Sequence, residues 1–261
     1  MKYIDIHSHI NLDPLFGNSD EVIKRMLENE VATITIGTDF EMSEKAISLS
    51  EKYDFLYAGV GLHPNDNLNE EFDIEKYKVL ANHKKVVCIG ESGLDYFRDQ
   101  SIENKNRQKE IFEKHIKLAI DTNKPLMIHA RPSKGSMDAY DEVIDILEIY
   151  KNENSNLHAN FHFFVGDIEI AKRILKNNWT VSFDGPITFA RDYDEVIKFM
   201  PIENIMCETD APFAAPVPHR GKTCEPFMVI EVYKKISEIK NLELHFVVNQ
   251  IRENVKRVFK I

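Results

Sequence analysis

Tyr3-Ile4-Asp5-Ile6-His7-Ser8-His9 opens the chain as a short β-branched run that ends on two histidines. In an extended strand, residues two apart point to one face, so Asp5, His7 and His9 project together. Paired imidazoles are poor core filling, because each carries polar nitrogens that need partners when buried. A divalent cation would supply such a partner. The pattern also recurs: a short apolar, β-branched run is followed by a helix-like stretch. Further runs are Val31–Gly37, Phe55–Gly61, Val86–Gly90, Leu126–His129, Leu157–His162, Thr180–Phe183 and Ile205–Glu208. Amphipathic spacing predicts helices over Glu21–Asn29, Gln108–Thr122, Asp138–Tyr150, Ile168–Asn177 and Tyr193–Met200. In the first of these, Val22, Ile23, Met26 and Leu27 form the apolar set.

Runs alternating with helices imply an α/β protein with a parallel sheet and helices outside it. Eight such units within 261 residues fit a (β/α)8 TIM barrel read as a single domain over residues 1–261. The competing architecture is an open doubly wound sheet, but the first strand is not followed by a glycine-rich nucleotide loop. The polar residues favour one end of the runs. His7 and His9 close the first, His63-Pro64 follows the third, and Gly90-Glu91 closes the fourth. His129, His162 and Glu208-Thr209-Asp210 close the fifth, sixth and eighth. In a barrel these ends converge on one face, where active sites are built.

Four histidines (His7, His9, His129, His162) with Glu91 and Asp210 make a mixed nitrogen and oxygen donor set. It suits Zn²⁺, Mn²⁺ or Fe²⁺, and Mg²⁺ where waters complete its shell. Six protein ligands are too many for one catalytic ion, which keeps a position open, but they suit two ions sharing a carboxylate.

A series of motifs then resembles the TatD family of metal-dependent deoxyribonucleases, within the amidohydrolase-like barrels. It comprises Asp-Ile-His-Ser-His at 5–9, Gly-Leu-His-Pro at 61–64 and Ile-Gly-Glu-Ser-Gly-Leu-Asp-Tyr at 89–96. Pro-Leu-Met-Ile-His-Ala-Arg at 125–131, Glu-Thr-Asp-Ala-Pro at 208–212 and Pro-Val-Pro-His-Arg-Gly-Lys at 216–222 complete it. The resemblance implies one metal on His7, His9 and Asp210 and a second on His129 and His162, with Glu91 bridging. It implies a hydrolase acting on DNA, favouring 3′ to 5′ trimming of single-stranded or frayed ends. Glu91 and Asp210 are then the catalytic carboxylates, Asp210 as general base, and two divalent ions (Mg²⁺, Mn²⁺ or Zn²⁺) the cofactors. The sequence departs from the family pattern at Phe163, Val165, Asp184 and Cys224, none of which is a metal ligand. An alternative on the same centre is hydrolysis of a small ester, amide or phosphoester, since fold alone does not select chemistry.

Around this centre His63, Arg131, Arg220 and Lys222 are candidate substrate-binding residues. A planar guanidinium at Arg131, two residues past His129, suits a phosphate. Asp5 is read either as orienting a ligand imidazole or as a carboxylate held by backbone. Asp95 and Tyr96 either line the pocket or shape its loop. Phe16, Phe97 and Phe213 are either stacking surfaces for bases or packing. His83, His115, His158 and His245 are read as helix, core or strand-start residues.

Composition narrows the partners. A formal charge of −10 argues against a broad duplex-binding surface, which needs a basic stripe. It does not exclude a local phosphate site beside metal ions. Three cysteines, Cys88, Cys207 and Cys224, lack metal-ligand spacing and are an odd number. With no apolar signal-peptide core or membrane-length run, a cytoplasmic protein is expected, with DNA as partner and no membrane or obligate protein partner.

Overall fold

The computed structural model describes residues 1–261. Eight parallel strands lie in one sheet in strict chain order. They are β1 (Tyr3–Ser8), β2 (Val31–Ile36), β3 (Leu56–Val60), β4 (Val86–Asp95), β5 (Leu126–Arg131), β6 (Ala159–Phe161), β7 (Thr180–Phe183) and β8 (Ile205–Cys207). Each is followed by a helix. These are α1 (Ser19–Glu28), α2 (Phe40–Ser50), α3 (Ile74–Ala81), α4 (Ile102–Thr122), α5 (Asp138–Glu153), α6 (Ile168–Lys176), α7 (Asp194–Phe199) and α8 (Val229–Lys240), and α9 (Leu244–Phe259) ends the chain. Consecutive order without reversal excludes the doubly wound sheet, whose order turns back at a switch point.

Ring closure uses the segment just past β8. The Asp210 amide donates to the His7 carbonyl at 2.9 Å, and the His9 amide to the Ala211 carbonyl at 2.7 Å. The seam thus brings Asp210 beside the two N-terminal histidines. Strands buried on both faces are nearly continuous apolar runs, as parallel strands under helices must be. All six residues of β2 are buried.

Most boundaries follow local chemistry. Asp39 caps α2 by accepting from the Met42 amide at 2.8 Å, and Asp167 caps α6 through the Ile170 amide at 2.9 Å. The helix expected from Gln108 begins earlier, at Ile102, because Ser101 caps it through the Asn104 amide. Leu27, expected on the buried face of α1, lies 47% exposed, while Val22, Ile23 and Met26 carry the packing. Helices α2, α3, α8 and α9 were not evident from periodicity. The fourth run extends past Gly90 to Asp95, so Glu91 lies inside β4 rather than closing it.

That extension contains a break. Ile89 pairs with Leu126 but Ser92 with Ile128, so β4 has one extra residue at Gly90-Glu91. Such a bulge re-aims the side chains beside it. Two glycines make it possible. Gly90 and Gly93 have φ of +142° and +143°, and a Cβ on either would collide with the carbonyl of Met127 or His129.

Candidate metal centre

The strand ends carry the donors inward to one cluster. His7 comes from β1, and His9 lies just beyond it. Glu91 comes from the bulge of β4 and His129 from β5. His162 follows β6 directly, and Asp210 lies three residues past the end of β8. His7 Nε2 and His9 Nε2 are 3.1 Å apart. Glu91 Oε2 lies 3.4 and 3.7 Å from them, and Asp210 Oδ1 lies 3.6 and 3.4 Å from them. The other oxygen of the same carboxylate faces a second group. Glu91 Oε1 is 2.7 Å from His129 Nδ1 and 2.8 Å from His162 Nε2. One carboxylate therefore serves two donor sets, and His7, His9 and Glu91 on one side and Glu91, His129 and His162 on the other are each compact enough to hold a single ion.

The donor chemistry fits divalent metals. His9 Nδ1 donates to the Ile36 carbonyl at 2.9 Å, which leaves its Nε2 lone pair facing the cluster. His129 Nε2 donates to Asp95 Oδ2 at 3.3 Å, which turns Nδ1 toward Glu91 Oε1. Such hydrogen bonds fix the ligand tautomer and orient the ring. The two facing Nε2 atoms of His7 and His9 share a point that a cation fills better than a proton can.

The electrostatics follow from burial and crowding. Burial alone would raise the Glu91 pKa, but the charges of His162 and His63 and hydrogen bonds from His129 and His162 hold it well below the usual range. Burial opposes charge on His162, yet Glu91 and Glu208 outweigh it and raise its pKa well above the ordinary imidazole value. His129 is raised likewise, against burial, by Asp95 and Glu91. His7 goes the other way, lowered by burial and then by His162. Asp95 is held at about 2 because, against burial, His129 and nearby charges favour its anion.

A pocket of about 560 Å³ opens above the cluster. Its walls include His63, Asp95, Arg98, Arg131, Phe163 and Phe213. His63 Nδ1 is 2.9 Å from Asp66 Oδ1, and its Nε2 points toward Glu91 Oε1 at 3.6 Å. Arg131 has no carboxylate partner and lies over the Phe97 ring at 4.1 Å. Arg220 and Lys222 do not line this pocket, and Arg220 instead stacks on Phe189 at 3.9 Å.

The open alternatives resolve differently. The Asp5 carboxylate accepts from the His7 and Thr209 amides and the Thr209 hydroxyl, so it ties β1 to the end of β8 rather than orienting an imidazole. Tyr96 is fully buried and bonds Glu142, away from the pocket, whereas Asp95 lines it. Phe213 lines the wall, and Phe16 does not. His115 is a satisfied core histidine, donating to the Ile111 carbonyl and accepting from the Leu62 amide. Phe163 and Val165 face the pocket, while Cys224 is buried. Asp184 is buried with Oδ2 unpartnered, and burial followed by Glu208 and Asp210 raises its pKa well above normal.

Glu208 was given no role in the sequence. It is fully buried, accepts from Ser182 Oγ at 2.6 Å, and lies 3.6 Å from His162 Nδ1. Its place at the end of the eighth run, within Glu-Thr-Asp-Ala-Pro at 208–212, is the signal the sequence offers.

A family model described as TatD related DNase matches residues 4–260. An uncharacterized metal-dependent hydrolase, YabD, of Bacillus subtilis is 38% identical, over 98% of this chain and 98% of its own. An uncharacterized metal-dependent hydrolase of Methanocaldococcus jannaschii is 32% identical, over 100% of this chain and 98% of its own. The crystal structure of YjjV, a TatD homolog from Escherichia coli, matches with a TM-score of 0.89 at 25% identity, over 100% of this chain and 98% of that one.

Proposed function

The chain belongs to the family of TatD-related DNases and is a metal-dependent hydrolase, and from that premise we propose that it hydrolyses DNA phosphodiester bonds. The proposed reaction is 3′ to 5′ exonucleolytic trimming of single-stranded or frayed ends. The observation that carries this reading is Glu91, whose two oxygens face two separate donor sets beneath a pocket that contains unpaired guanidinium groups.

His7, His9 and Asp210 would hold one divalent ion and His129 and His162 a second, with Glu91 between them. Bound there, the ions would supply Lewis acidity and lower the pKa of a nearby water. Asp210, with its side chain 14% exposed against 5% for Glu91, is the carboxylate more open to the pocket and takes the proton of the attacking water. Arg131, held by Phe97, positions a non-bridging phosphate oxygen and offsets its growing charge. Arg98 lines the same wall and offers a contact to an adjacent phosphate. Phe213 and Phe163 form apolar walls against which a terminal base stacks. A pocket of this size suits one nucleotide and its phosphate, in keeping with end trimming by an acidic chain. Arg220 and Lys222 then contact longer substrates from the rim rather than the reacting phosphate.

The test uses metal-stripped protein and end-labelled single-stranded DNA, with Mg²⁺, Mn²⁺ or Zn²⁺ added separately. A metal-dependent ladder shortening from the 3′ end, absent in Glu91→Ala, is expected. Two bound ions with no cleavage by any metal would transfer the reading to a small ester, amide or phosphoester.

A further inference from the structure

We propose that the opposite, N-terminal face of the barrel carries a second binding site, for a small phosphorylated anion of mononucleotide size. A cleft of about 560 Å³ lies there, between the C-terminal ends of α4 and α9 and the turns leading into β5, β6 and β7. Its volume falls within the range of small-molecule sites. In such barrels this face ordinarily serves stability, so a built concavity there calls for its own account.

The charge in the cleft is unbalanced. Lys124, Arg257 and Lys260 line it, with Glu153 the one carboxylate among the lining residues. None of the three cations has a carboxylate within ion-pairing distance. Lys124 Nζ donates to the Val86 carbonyl at 2.5 Å and Arg257 Nη2 to the Glu203 carbonyl at 2.5 Å, which leaves other donors on each unused. Three such cations meet in one cleft although the chain carries a net charge of −10. Elsewhere carboxylates are plentiful: Arg173 alone faces Asp141, Asp145 and Glu148.

Two groups register the resulting field. Burial lowers the Lys124 pKa; Cys88 opposes this, and Lys260 adds to the lowering. His158, which lines the cleft, is held at about 3 by burial and then by Arg257 and Lys151. Its imidazole is therefore neutral and able to hydrogen-bond without adding charge. A phosphoryl group would remove the mutual repulsion of the cations and accept from their free donors, as charge-assisted bonds do. The competing account is that the cations merely answer the negative ends of α4 and α9. That account predicts no saturable ligand.

The single tryptophan makes the two accounts separable. Trp179 lies behind the cleft, with Nε1 donating to the carbonyl of Leu157 and the Lys151 ammonium 5.6 Å from its ring. Leu157 and the preceding Asn178 both line the cleft. Metal-loaded protein is titrated with inorganic phosphate and, separately, with AMP while Trp179 fluorescence is followed. A saturable change is expected with at least one probe. Tighter binding of AMP identifies a nucleotide, and equal binding identifies a free phosphate. Arg257→Gln and Lys260→Gln, both at exposed positions, should each weaken binding about tenfold. Arg131→Ala, in the opposite pocket, should leave the fluorescence response intact. No saturable response, a response surviving the Arg257→Gln/Lys260→Gln pair, or one lost with Arg131→Ala would overturn the proposal. Because DNA cleavage is assayed separately, these outcomes do not bear on the hydrolase reading.

Discussion

Replacing Glu91 by glutamine isolates the idea of one carboxylate shared between two sites. The substitution keeps the shape but removes the charge. On one side it affects Oε2, 3.4 Å from His7 Nε2 and 3.7 Å from His9 Nε2. On the other it affects Oε1, at 2.7 and 2.8 Å from the His129 and His162 nitrogens. Loss of a group that merely orients a metal ligand costs about 10–100-fold in affinity or activity. Glu91 serves both halves, so the two factors multiply to about 10²–10⁴. His129→Ala touches one half and should cost only one such factor in affinity for one ion. The assay measures bound metal per chain by elemental analysis, beside turnover on end-labelled DNA, with thermal unfolding as the control for folding. Glu91→Gln should lower the occupancy of both ions, and His129→Ala that of one. If Glu91→Gln keeps two ions per chain and loses no more turnover than His129→Ala, the shared-carboxylate argument fails.

Other expectations follow from particular contacts. His115 is fully buried with both ring nitrogens engaged as the neutral form, and burial pushes its pKa from 6.5 to about 4. Below about 6.5 the unfolded chain takes up a proton that the folded chain refuses until about 4. Its contribution is therefore present above that window and lost as pH falls through it, by about 3 kcal/mol. Urea unfolding at pH 7 and 4.5 should show a shallower acid loss in His115→Gln, and an unchanged slope would sink the assignment. Gly93→Ala should destabilise by about 1–3 kcal/mol, because the added methyl meets the His129 carbonyl at a positive φ. It should also weaken metal binding as β5 shifts, and wild-type melting with full metal content would count against the bulge argument. Arg131→Ala should raise KM and lower kcat on oligonucleotides, and a loss confined to thermal stability would make the residue structural. Arg220→Ala should weaken binding of long single strands while leaving turnover of bis-p-nitrophenyl phosphate unchanged, and equal losses on both substrates would move Arg220 into the pocket.

Alternation of β-branched runs with amphipathic stretches was enough to indicate a parallel sheet of eight βα units, because strand and helix periods are local properties of the chain. The strand order that separates a barrel from a doubly wound sheet is a tertiary property. The six donor residues were legible for a related reason: in a parallel barrel every strand end reaches the same face, so a histidine or carboxylate at that point already has an address. The partition among them came only from the family resemblance, and its physical basis is not local. Glu91 divides between two donor sets only because the Gly90–Gly93 segment bulges against β5, and a register shift is a property of a pair of strands. Asp210 meets His7 and His9 only because the seam past β8 closes onto β1. Asp5 was ambiguous in sequence because its partner, Thr209, lies 204 residues away. The same holds for Glu208 beneath His162, and for Arg220, whose loop carries it onto Phe189 instead of into the pocket. Local periodicity and residue chemistry thus determined which groups gather, and packing between distant segments decided which atoms face one another.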